Sequence, residues 1–77
     1  MSILNQKKFE VVIASDVSSR DGIGVEVYEN GDLILDVFRD DTRKTKEVTL
    51  FKKQVPLDIV EESLRIFRKK IPQDFQD

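Results

Sequence analysis

Apolar and polar residues alternate in several stretches of the chain, and the clearest interruption is Glu29-Asn30-Gly31-Asp32. Before it, Ile23, Val25 and Val27 fall on one side of an extended backbone; after it, Leu33, Leu35 and Val37 do the same. Asn-Gly between two such runs marks a hairpin over residues 23–37. Loop length then decides the register. A two-residue Asn30-Gly31 loop pairs Tyr28 with Leu33 and Val27 with Ile34, leaving Val25 opposite Asp36. A three-residue loop, Glu29-Asn30-Gly31, sets Val27 against Leu33, Val25 against Leu35 and Ile23 against Val37. Gly31 then forms a left-handed bulge, where the lack of a Cβ removes the steric cost. Keeping all the apolar residues on one face favours the three-residue loop.

Residues 9–14 alternate as well, with Phe9, Val11 and Ile13 on one face. Pairing Val11 with Val25 and Ile13 with Ile23 joins this strand to the hairpin without a crossover. The Ser-, Asp- and Gly-rich connection over residues 15–22 reads as a loop. After Phe38, the charged run Arg39-Asp40-Asp41-Thr42-Arg43-Lys44 is a second turn, and residues 45–51 form a fourth strand. Val48 then opposes Val37, and Leu50 opposes Leu35. Agreement of the faces across consecutive turns supports an antiparallel meander.

Pro56 suits the start of a helix, and Pro72 ends it near Lys70 or Ile71. Asp58, Glu61 and Glu62 near its start and Arg65, Arg68, Lys69 and Lys70 near its end complement the helix dipole. Leu57, Val60, Leu64, Phe67 and Ile71 make an apolar stripe at three- and four-residue spacing. The expected fold is therefore α+β: a four-stranded antiparallel meander with one C-terminal helix packed across one face. The expected core is Val11, Ile13, Ile23, Val25, Val27, Leu33, Leu35, Val37, Val48 and Leu50 under that stripe. Residues 1–77 make one small domain, with 1–7 and 73–77 expected to be loosely ordered.

Composition narrows the function classes. With 77 residues, the chain has one small core and an expected stability of about 3–5 kcal/mol. Its 39% hydrophobic content is enough for a folded protein despite 36% charged residues. There is no cysteine, so disulfide and thiolate chemistry are excluded. No apolar run has the length of a signal peptide or of the roughly 20 residues that cross a membrane. A cytoplasmic protein without membrane association is the expectation. There is no histidine for proton transfer near neutral pH, no phosphate-binding glycine loop and no nucleophile elbow. Asp36, Asp40 and Asp41 lack calcium-loop spacing and have Arg39, Arg43 and Lys44 as neighbours, which points to turn caps and ion pairs. The chain is thus expected to be neither an enzyme nor the carrier of a metal or cofactor.

What remains is binding. Tyr28, Ile34, Phe38 and Phe51 fall on the sheet face away from the helix, and Ile59 and Ile66 point away from the helical stripe. A protein interface, through self-association or with a larger partner, would account for them. The alternative is a nucleic-acid surface built from Arg43, Lys44 and Lys46, from Lys52 and Lys53, and from Arg68, Lys69 and Lys70. The formal net charge of -2 gives that alternative no general electrostatic support.

Overall fold

The computed structural model describes residues 8–16 and 21–76. Along the chain come β1 (Phe9–Asp16), β2 (Gly22–Glu29), β3 (Asp32–Asp40), β4 (Thr45–Leu50) and α1 (Leu57–Lys70). The strands pair antiparallel in the order β1-β2-β3-β4. This is the expected α+β meander with its C-terminal helix. The end residues 1–7 and Asp77, and the loop residues 17–20, lie outside the described residues.

The hairpin solves its register problem differently from the expectation. Asn30 and Gly31 both have positive φ, 51° and 89°. They form a two-residue loop flanked by Glu29↔Asp32 and Tyr28↔Leu33. Such a turn has the twist that the two strands need, and Asn-Gly tolerates its backbone. The expected three-residue loop is thus corrected. The mismatch is absorbed inside β3, where pairing steps from Tyr28↔Leu33 to Val27↔Leu35 and Ile34 is the extra residue of a bulge. Beyond it, Val25 opposes Val37 rather than Asp36. The Ile34 carbonyl accepts a 2.9 Å hydrogen bond from the N–H of Phe51.

The other pairings are simpler. Val37↔Val48 and Leu35↔Leu50 match the expectation. On the other side, Val11 opposes Val27 and Ile13 opposes Val25. That register lies two residues from the expected one, and an even shift keeps every side chain on its face.

Helix α1 begins after Pro56, whose carbonyl accepts from the N–H groups of Ile59 (3.1 Å) and Val60 (3.2 Å). The Asp58 carboxylate also accepts from Ile59 N–H, at 3.0 Å. The helix buries Ile59, Ser63 and Phe67. Ser63 is small, and its hydroxyl donates to the Ile59 carbonyl at 2.6 Å, so the helix can sit close to the sheet with no hydroxyl unsatisfied. At about 100° per residue, this face is turned roughly 80° from the expected stripe. Leu57, the first residue of that stripe, is 71% exposed.

The core comprises Val25, Val27, Ile34, Leu35, Val37, Ile59, Phe67 and Ile71. Ile13, Val48 and Leu50, expected inside, are each about half exposed. Width is the reason. A helix is about 10 Å across and strands lie about 4.8 Å apart, so one helix covers two strands. Helix α1 packs on β2 and β3; Phe9 and Val11 of β1 still reach the core, whereas Ile13 of β1 and Val48 and Leu50 of β4 lie outside its cover.

Pro72 and Gln76, in the C-terminal segment, are bonded to the end of β3 and the turn after it. The buried Arg39 guanidinium donates to both carboxylate oxygens of Asp41, at 2.9 and 3.0 Å, and to the Pro72 carbonyl at 2.6 Å. Asp41 in turn accepts from the Gln76 N–H at 3.1 Å. Asp40 caps the same turn by accepting from the N–H groups of Thr42 and Arg43.

Candidate functional site: a trough between helix α1 and strand β4

Strand β4 places Lys46, Val48 and Leu50 on the helix side of the sheet, opposite Arg39, Val37 and Leu35. With no helix above them, Val48 and Leu50 are 47% and 51% exposed. Helical periodicity sets Leu57, Val60, Leu64 and Arg68 on the flank of α1 that faces the same gap. Val37, Val48, Leu64 and Phe67 line a recess of about 130 Å³ there, with Lys46, Glu47 and Arg68 at its rim. The result is an apolar trough with a β4 floor, an α1 wall and cationic side chains at the helix C-terminal end.

The rim charges differ in how far they are already engaged. Glu47 accepts from the Thr45 hydroxyl at 2.7 Å and pairs with Arg43 at 3.6 Å. Lys46 Nζ lies 5.5 Å from the centre of the Phe75 ring, which brings the C-terminal segment to this end of the trough. Lys44 also approaches that ring and donates to the Gln76 carbonyl at 3.4 Å. Lys52 is held by Glu29 at 2.8 Å, and this ion pair is the main reason that the Glu29 carboxyl lies below its ordinary value. Lys53, Arg68, Lys69 and Lys70 are exposed.

The structure divides the residues proposed from sequence. Ile34 and Ile59 are core residues: the β3 bulge turns Ile34 toward the helix, and the rotation of α1 turns Ile59 toward the sheet. Ile66 is half-buried against that core. Phe38 does lie on the face away from the helix, but it is buried against β2. A Cβ built on Gly24 would come within 2.9 Å of its ring, so the glycine leaves room for the phenylalanine. Tyr28 is half-buried on the same face. Its hydroxyl donates to Glu26 at 2.9 Å, and that bond raises the phenol above its ordinary value. Phe51 is exposed beside the end of β4. These six residues therefore do not form one surface.

The basic residues fall into two sites. Arg43, Lys44 and Lys46 share one end of the domain with Arg68, as the Lys46–Arg68 lining shows. Lys52 and Lys53 lie beyond the opposite end of β4, about 20 Å away at roughly 3.3 Å per residue.

The trough is not visible in the apolar pattern, which places Val48, Leu50, Leu57 and Leu64 in the core. The signal available was a comparison of widths: four strands with a single apolar face, and one helix to cover them.

Among the described residues, no group of three or more His, Cys, Asp or Glu side chains is placed to hold a metal ion. Nor is any described helix long and apolar enough to cross a membrane. Comparison with protein-family models, curated proteins and solved structures finds no match to this chain.

Proposed function

We propose that this chain acts by binding another protein through the α1–β4 trough, as an accessory or regulatory subunit without catalysis of its own. The observation that carries this reading is the half-covered sheet. Val48 and Leu50 present apolar surface on the strand without a helix above it, and Val48 shares a recess with Leu64 of the helix flank, at a place where a small domain ordinarily keeps such side chains dry. The recess is concave, and polar and cationic side chains line it together with the apolar ones, as at many recognition surfaces. A chain without histidine or cysteine is also poorly equipped for nucleophilic or acid–base catalysis.

The test is site-specific crosslinking in the source cell. A photoreactive amino acid is placed at Val48 or, as a control on the opposite face of the same strand, at Thr49. Discrete adducts with a separate protein from position 48, and none from 49, support the reading. Equal labelling from both positions, or none from 48, overturns it. Adducts that disappear on nuclease treatment would transfer the function to nucleic-acid binding through the basic rim.

A further inference from the structure

We infer that the occupant of the trough is an amphipathic helix of a separate protein, carrying acidic residues at the end that lies over Lys46 and Arg68; this rests on the docking reading above. Width argues for a helix. Packed helices lie 8–10 Å apart, about two strand spacings. A helix beside α1 would therefore run above the outer edge of β4, touching the Leu57–Leu64 flank from the side and Val48 and Leu50 from above. A strand added to the β4 edge would lie in the plane of the sheet and leave the upper side of Val48 and Leu50 in water.

A second copy of this chain fits poorly. Stacking two copies helix to helix would bury the outward face of α1, which carries Asp58, Glu61, Arg65 and Lys69, all exposed. Pairing two β4 edges would place the two α1 helices about four strand spacings, or roughly 19 Å, apart. That is twice a packing distance, so the trough would stay open between them.

Charge sets the direction of the occupant. Lys46 and Arg68 both line the recess, toward the C-terminal end of the helix. The carboxylate beside them, Glu47, is engaged by Arg43 and Thr45. At the other end Lys52 is held by Glu29, and the exposed Lys53 is offset by Asp58 and Glu61 near the helix start, so the excess of positive charge lies at the Lys46–Arg68 end. Acidic side chains on the incoming helix are matched there, with an attraction that salt weakens.

The experiment is a display selection. Random segments of about 16 residues, long enough for four helical turns, are selected for binding to the full chain. Enriched segments are then tested against the Val48→Glu, Leu64→Lys and Lys46→Glu variants, each checked for folding by circular dichroism. The expected segments carry apolar residues at i, i+3 or i+4, and i+7, with Asp or Glu gathered at one end. They gain helicity on binding, lose roughly tenfold or more in affinity with Val48→Glu or Leu64→Lys, and weaken with Lys46→Glu. Segments with apolar residues at alternate positions that still respond to Val48→Glu would overturn the helix while leaving the docking reading intact. Segments rich in Lys and Arg would overturn the charge assignment. Failure to enrich any segment, or binding indifferent to both Val48→Glu and Leu64→Lys, would overturn this inference and the docking reading together. A chain that dimerises alone, with a mass halved by Val48→Glu, would make a second copy the occupant.

Discussion

Leu35 and Leu50 are the same residue, face each other across neighbouring strands and point to the same side of the sheet. Leu35 is wholly buried, whereas Leu50 is half exposed. Val37 and Val48 repeat the contrast one pair along. Neither propensity nor alternation separates these pairs. What separates them is whether α1 lies overhead. The centre of the sheet, β2 and β3 under the helix, is a core. The β4 flank has the composition of a core without its cover, and this is the surface on which the proposed function rests.

The comparison can be broken at its strongest point. Leu35→Ala should cost about 2–5 kcal/mol, because it empties a buried site that cannot fully collapse. Leu50→Ala, with its side chain already half in water, should cost well under half as much. Urea unfolding of the two variants measures the difference, and equal losses would mean that β4 is covered in solution.

Next in size is the glycine under Phe38. A Cβ at Gly24 would lie 2.3 Å from the Val37 carbonyl oxygen as well as close to the Phe38 ring. Gly24→Ala should therefore force the β2–β3 pairing apart and cost about 1–3 kcal/mol. Gly31→Ala meets no neighbouring atom but keeps φ at +89°, for a strain of about 1–2 kcal/mol. Denaturation midpoints that reverse this order would place the Phe38 ring elsewhere.

The latch at the C-terminal segment responds to pH. The Arg39 guanidinium holds the Asp41 carboxyl below its ordinary value of 3.8, aided by the Gln76 N–H. A folded-state value below the unfolded one means that this stabilisation is fully present above about pH 4. It is lost as pH falls through the folded value, where the carboxyl takes up its proton. Acid titration of the melting temperature should show that loss, and Asp41→Asn should lower stability at neutral pH and flatten the acid limb. An unchanged acid limb in the variant would detach Asp41 from the latch. Glu29, lowered by Lys52 and Lys8, contributes in the same direction and should survive that substitution.

The smallest effect on stability is expected where the effect on binding is greatest. Val48→Thr should shift unfolding by no more than about 0.5 kcal/mol, as is usual for exposed positions. It should nevertheless weaken crosslinking from the neighbouring trough residue Leu64. Large destabilisation together with unchanged crosslinking would make Val48 a structural residue after all.

Much of this architecture was legible in local patterns. Alternation set the strands and their faces, Pro56 and Pro72 bounded the helix, and Asn30-Gly31 announced a tight hairpin. Those signals act over a few residues, through backbone sterics and side-chain period. The bulge at Ile34 was hidden because turn geometry and face matching favoured different registers, and only the assembled sheet shows that an inserted residue satisfies both. The rotation of α1 was hidden for a related reason. Its apolar arc is wide, running from Ile59 and Ile66 round to Leu57, so several faces were compatible with the sequence. Close approach at Ser63 and the packing of Phe67 and Ile71 selected one. That selection buried Ile59 and turned Leu57 to the open flank; the bulge buried Ile34, and the width of a single helix left Val48 and Leu50 uncovered. Hydrophobic character is a local property, but burial depends on what lies above a residue, and one helix is wide enough for only two strands.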